Sequence, residues 1–135
     1  MTVFLKWTQK WSVGINEIDN QHKFFIGLVN QAHDLVKSKK GTELKMILAN
    51  LTEFTRIHFT TEENYFQRYN YPYAKEHMIE HGKLTLKVLK FNERMEKYGV
   101  KIVPDLLDFL KDWFNNHLKQ HDFKYARYFK ENHLL

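Results

Sequence analysis

An all-α fold is predicted, in the form of an up-down-up-down antiparallel four-helix bundle with an irregular N-terminal arm and a short C-terminal fifth helix. Three observations carry this expectation. Gly and Pro are scarce, five and two in 135 residues, so few positions break a helix. Apolar side chains recur at alternating steps of four and three through most of the chain, which is the helical period. No segment sustains the alternation of a half-buried strand. Breaks at Gly41, Asn70-Tyr71-Pro72 and Gly99 separate four long segments by short turns, the connection pattern of an antiparallel bundle.

In chain order, residues 1–18 form the arm. Phe4, Leu5, Trp7, Trp11, Val13, Ile15 and Ile18 follow no helical period, and a structureless stretch of this length is uncommon unless it packs down. Its two tryptophans are expected to lie across the helices and cover apolar surface. The bundle spans 19–120. The first helix is expected to begin at Asp19 or Asn20, both good N-caps, with His22, Phe25, Ile26, Val29, Ala32 and Val36 facing inward. Thr42 is expected to cap the second, which runs to about Tyr69 and turns Leu44, Leu48, Leu51, Thr55, His58 and Glu62 inward. Pro72 suits the first turn of the third, whose inward set is His77, His81, Leu84, Val88, Phe91 and Met95. The fourth starts near Pro104, with Leu106, Leu110, Trp113 and His117 in the same rhythm. A short fifth, about Phe123 to Asn132, falls in the closing segment 121–135.

Composition narrows the function. The chain has no cysteine, which excludes disulfides, thiolate nucleophiles, zinc knuckles and iron–sulfur clusters. It has no apolar run near membrane-span length and no cleavable leader, so a cytoplasmic protein is expected. A formal net charge of +5 permits an anionic partner, but the lysines are dispersed among acids and no nucleic-acid partner is expected. Lys83, Lys87, Lys90, Arg94 and Lys97 line one side of the third helix. They read as a solvated face, with an acidic partner or an anionic membrane surface as the less favoured alternative. A charged exterior makes a monomer the expected state.

The chemistry lies in two pairs, His58-x-x-x-Glu62 and His77-x-x-x-His81. Residues four apart share a helix face, so each pair points two metal-competent side chains in one direction. Histidine and carboxylate suit iron and other first-row transition metals. His22 and His117 also fall on inward stripes. His22 and His77/His81 lie near helix starts, and His58/Glu62 and His117 near helix ends. Antiparallel topology therefore brings all of them to one end of the bundle. One inward histidine is most simply a hydrogen-bonded core residue, but five in one layer point to a metal. Asp122, five residues after His117, would point about 140° away on a regular helix. The fourth helix is expected to end or bulge between them, returning the carboxylate to the site.

With these residues in place the chain resembles the hemerythrin family, in particular its single-domain bacterial members. The matching residues are Val13-Gly14-Ile15, Ile18-Asp19-Asn20-Gln21-His22, His58-x-x-x-Glu62, His77-x-x-x-His81, and His117-x-x-x-x-Asp122 with Trp113 upstream. They cover about residues 11–122. The resemblance implies two iron ions, one held by His77, His81 and His117 and the other by His22 and His58. Glu62, Asp122 and a solvent-derived oxo or hydroxo group would bridge them. It also implies reversible dioxygen binding at an open position on the second iron, for oxygen storage or delivery.

The ligand set favours binding over turnover. Ferritin-like di-iron oxidases are rich in carboxylates and use Glu-x-x-His pairs, and this sequence contains none. No enzymatic activity is therefore expected; a di-iron oxidase, a peroxidase, a nitric oxide-handling enzyme or a sensor are the alternatives. With no signalling module following the domain, a carrier or buffer serving an oxygen-consuming enzyme is expected over a sensor. Phe25, Phe59, Trp113 and Phe114 are as a set candidates for a dry wall around the irons, although each taken singly is better explained as core. His33 is three turns from His22 and too far to share its centre. His121 is expected to face solvent rather than support Asp122, and His133 has no evident role.

Overall fold

In a computed structural model describing residues 4–134, the chain forms α1 (Asn16–Ser38), α2 (Gly41–Tyr69), α3 (Ala74–Tyr98), α4 (Val103–His117) and α5 (Phe123–Glu131). No strand occurs among the described residues. α1 packs against α2 and α4, and α2 against α3. Leu44, Leu48 and Leu51 of α2 share one buried core with Val29 and Ala32 of α1 and Leu106 and Leu110 of α4. Each buried leucine contributes about 1.5–3 kcal/mol relative to exposure.

The turns are set by single residues. Lys39 (φ 55°) and Asn70 (φ 51°) adopt the left-handed conformation that ends a helix, and their N–H groups donate to Leu35 O and Phe66 O. Gly99 (φ 61°, ψ −141°) stops α3 in a conformation that an L side chain rarely takes.

Three boundaries and one inward assignment differ from the sequence expectation. α1 begins at Asn16 rather than Asp19 or Asn20, because Asp19 uses its carboxylate elsewhere: it accepts hydrogen bonds from Ser12 Oγ and Val13 N–H (2.8 Å). The acid sits in the first turn, where the helix dipole also favours it. α2 starts at Gly41 behind Lys40, so Thr42 is not its cap. Pro72 remains in the turn, two residues ahead of α3. Val36 is 45% exposed, because over the last turns of α1 the buried edge runs through Leu28 and Leu35, one heptad apart.

The arm packs down as expected. Leu5, Val13 and Ile15 are buried. Asn30 of α1 fixes the arm's start: its Oδ1 accepts from the N–H groups of Phe4 (3.0 Å) and Leu5 (2.8 Å), and its Nδ2 donates to Leu5 O (2.8 Å). Trp11 sets an edge against Phe114 at 5.2 Å, and Phe4 stacks on His33 at 4.6 Å. At the other end of the chain Tyr125 and Phe129 of α5, both 0% exposed, join Phe66, Tyr69 and Tyr71 in an aromatic cluster.

On the basic side of α3, Lys83 pairs with Glu80 (3.1 Å) and Arg94 with Asp105 (2.7 Å), while Lys87 lies over the Phe91 and Phe109 rings. These local partners fit a solvated face.

Candidate metal centre

His22 in the second turn of α1, His58 and Glu62 late in α2, His77 and His81 early in α3 and His117 at the end of α4 all arrive at one level. That convergence requires antiparallel neighbours. Asp122 joins them through a π turn, Leu118–Asp122, that links α4 to α5. The wider turn accommodates the extra residue between His117 and Asp122, and His117 Nε2 lies 3.0 Å from Asp122 Oδ1. All seven side chains are at most 4% exposed.

The donor atoms form two groups, Glu62, His77, His81 and His117 in one and His22, His58 and Asp122 in the other. Within each, the atoms lie within 4.8 Å of one another. Both carboxylates reach across. Asp122 offers Oδ1 to His77 Nε2 (3.3 Å) and His117, and Oδ2 to His22 Nε2 (3.2 Å). Glu62 Oε1 lies 2.9 Å from His81 Nε2, 3.3 Å from His58 Nε2 and 3.4 Å from His77 Nε2.

A cation fits this arrangement. Nε2 of His58, His77 and His117, Oε2 of Glu62 and both Asp122 oxygens are buried without a hydrogen-bond partner. Buried polar atoms are nearly always satisfied, and leaving so many converging donors bare is costly unless something positive sits among them. Five imidazoles and two carboxylates are a donor set for a first-row transition metal.

The electrostatics of these side chains are divided. Burial pushes His58 down to about 3, against the pull of Glu62. At His77 burial also acts downward, but the Asp122 and Glu62 carboxylates close to its Nε2 outweigh it and raise the pKa to about 9. Burial works to raise Glu62 and Asp122. The surrounding imidazoles, His58, His77 and His81 for Glu62 and His117, His22 and His77 for Asp122, nonetheless hold both below the usual carboxylate range. Both acids are thus ionised and ready to ligate.

Two supporting residues were not assigned from sequence. Gln21 Oε1 lies 2.6 Å from His58 Nδ1, and the Gln21 amide donates to Thr61 Oγ1 (3.0 Å), which donates to Ile57 O. With the amide thus oriented, His58 Nδ1–H donates to Gln21, and Nε2 keeps its lone pair for the centre. Glu63 Oε2 lies 3.2 Å from His81 Nδ1 and does the same for that ring. Gln21 precedes His22 in the family-like motif and Glu63 follows Glu62, so adjacency to a candidate ligand was the available signal. Tyr125, three residues after Asp122, was missed as well. Its hydroxyl is buried without a hydrogen-bond partner. Burial pushes its pKa up, and the nearby Glu62 and Asp122 charges push it further.

Aromatic rings enclose the centre. Phe59 stacks on His81 at 3.7 Å, Trp113 on His117 at 4.6 Å, and Phe114 turns an edge to His22 at 5.5 Å. Phe25 stands behind, stacked on Phe114. Phe54 on His58 (5.1 Å) and Phe66 beside His77 (4.8 Å) complete the ring and were not among the sequence candidates. His121 is partly exposed, with its ring 5.2 Å from His117 and its Nε2 4.0 Å from Glu80. His33 and His133 lie outside the centre.

Fold and site together define a helical-bundle protein with a histidine- and carboxylate-rich metal centre. Residues 13–129 match the profile of the hemerythrin HHE cation binding domain, and the chain belongs to the hemerythrin family. It is 29% identical over 124 residues to a bacteriohemerythrin of Clostridium acetobutylicum, covering 88% of this chain and 96% of that one. A hemerythrin-like protein of Naegleria gruberi is 32% identical over 120 residues, 88% of each chain. The crystal structure of a wild-type hemerythrin superposes with a TM-score of 0.81 at 25% identity, over 92% of this chain and 96% of the other. No helix among the described residues is long and apolar enough to cross a membrane.

Proposed function

We propose that this protein binds dioxygen reversibly at a non-haem di-iron centre and serves in the cytoplasm as an oxygen store or as a carrier to an oxygen-consuming enzyme. His77, His81 and His117 would hold one iron, His22 and His58 the other, with Glu62 and Asp122 shared between them. The observation that carries the reading is the placement of Asp122, which presents one carboxylate oxygen to each donor group. When bound, the iron pair supplies the electrons for reversible dioxygen reduction together with an oxo or hydroxo bridge.

The chain's own residues set the conditions. Three imidazoles in one group and two in the other make the centre asymmetric, so the two-histidine side is left with fewer protein donors and is the side expected to accept the ligand. Gln21 and Glu63 fix the rings that point at the metals. Phe54, Phe59, Phe66 and Phe114 keep water from the donor atoms, which slows protonation and loss of a reduced ligand. Five neutral donors against two anionic ones stabilise high-valent iron less than a carboxylate-rich site would, and this favours binding over turnover.

The test is iron content and visible spectrum of protein loaded anaerobically with ferrous iron and cycled between nitrogen and oxygen. Two irons per chain and a charge-transfer band that comes and goes over repeated cycles are expected. Irreversible oxidation on first exposure, or turnover of a reductant, would replace the carrier reading with an enzymatic one.

A further inference from the structure

α3 carries a second apolar seam on the side facing away from the core. Lys75, Ile79, Gly82, Leu86, Leu89 and Glu93 succeed one another at steps of four, three, four, three and four, the spacing of a coiled-coil seam. The buried set His77, His81, Leu84, Val88, Phe91 and Met95 follows the same rhythm on the opposite face. The outer seam is open to solvent: Ile79 is 54%, Leu86 62% and Leu89 49% exposed. Its centre holds a glycine in mid-helix, where Gly is disfavoured against Ala. Nothing in the chain explains that choice, since a Cβ at Gly82 would meet no atom within 4 Å.

In place of the monomer expected from the charged exterior, we infer that this face is a self-association surface, on which a second copy of the chain packs α3 against α3 in antiparallel fashion about a two-fold axis level with Leu84. Residues equally far from Leu84 in number then oppose one another. Leu86 enters the notch over Gly82 of the other copy, Ile79 meets Leu89, and Lys75 meets Glu93, each contact occurring twice as two-fold symmetry requires. The seam is self-complementary in shape and in charge. Neither Lys75 nor Glu93 takes part in an ion pair among the described residues, so both are free for the partner copy. A parallel arrangement would set Lys75 against Lys75, Glu93 against Glu93, and Gly82 against Gly82 across a gap. The lysines flanking the seam do not prevent the antiparallel approach, because Lys83, nearest the axis, is already paired with Glu80.

The inference concerns the outer face and is independent of what the centre binds. Sedimentation equilibrium of the full chain, with and without iron, tests it. A dimer with Kd below about 1 mM is expected. Leu86→Glu should weaken it by more than about tenfold, with far-UV circular dichroism and iron content retained because the side chain is outside the core. Lys75→Glu and Glu93→Lys should each weaken association several-fold, roughly as a lost exposed ion pair plus a like-charge contact would, and the double variant K75E/E93K should restore it. A monomer at all concentrations, a dimer indifferent to Leu86→Glu, or a double reversal that fails to recover would each overturn the proposal.

Discussion

Gln21→Leu isolates what a residue beside the centre contributes, because it removes an acceptor without touching a proposed ligand. In the structure Gln21 Oε1 sits 2.6 Å from His58 Nδ1, and its amide is anchored by Thr61. His58 is 0% exposed, so its Nδ1–H cannot turn to water when the acceptor is lost. A buried donor left unsatisfied costs about 1–3 kcal/mol, and the imidazole becomes free to flip or to place its proton on Nε2. Loss of an outer hydrogen-bond partner of a ligating histidine typically lowers metal affinity about 10–100-fold, which corresponds to about 1.4–2.8 kcal/mol. The assay is anaerobic competition for ferrous iron against a chelator of known affinity, with Gln21→Glu as the control that preserves an acceptor. Glu63→Gln should cost less, since Glu63 is 36% exposed and its contact with His81 is longer, 3.2 Å. If Gln21→Leu binds iron as tightly as the parent protein, or Gln21→Glu binds it as weakly as Gln21→Leu, Gln21 does not set the His58 tautomer.

Loading the metal-free protein at pH 7 should expel the proton that His77 holds with a pKa of about 9, and the release, followed with a pH indicator in weak buffer, should fall by about one proton between pH 7 and 10. Stability of the metal-free protein should peak near pH 6.5: the raised His77 contributes fully below its unfolded pKa and is lost as pH rises through 9, while the depressed His58 contributes fully above its own and is lost as pH falls toward 3. The lowered Glu62 and Asp122 steepen the acid side, and a flat urea-midpoint profile from pH 4 to 9 would contradict the assignment. Asn30→Ala removes three hydrogen bonds that tie down the arm and should lower unfolding stability by about 2 kcal/mol, read from the urea midpoint. Tyr125→Phe deletes a buried hydroxyl without a partner and should raise the melting temperature of the metal-free protein by the equivalent of about 1 kcal/mol; a fall would show that the hydroxyl is satisfied.

The bundle was legible because its signals are periodic. Leu44, Leu48, Leu51 and Leu84, Val88, Phe91 repeat at helical steps, and the histidines occupy the same stripes, so one rule found both core and centre. The spacing from His117 to Asp122 even disclosed the irregular turn between them. What escaped was non-periodic. Asp19 looks like a cap, but its carboxylate serves the arm, and nothing local in the sequence distinguishes the two uses. Lys39 takes the left-handed position that Gly41 seemed to claim. Gln21, Glu63 and Tyr125 are polar or amphipathic residues whose roles depend on which neighbouring helix they meet. The outer seam of α3 was masked by the lysines alongside it, which dominate any reading by charge.

The π turn sets more than the Asp122 carboxylate. α4 and α5 form one nearly continuous helical rod, with one residue beyond the regular count inserted between Leu118 and Asp122. Each residue turns a helix by about 100°, so that insertion fixes the phase of everything after it. Removing one of Lys119, Gln120 or His121 would restore a regular four-residue step from His117 to the aspartate and could leave the carboxylate near the centre. The same deletion would swing the edge bearing Tyr125 and Phe129 by about 100°, out of the cluster with Phe66 and Tyr71 and toward water. In this rod a chain length, rather than any one side chain, decides which face of the last helix closes over the metal end of the bundle.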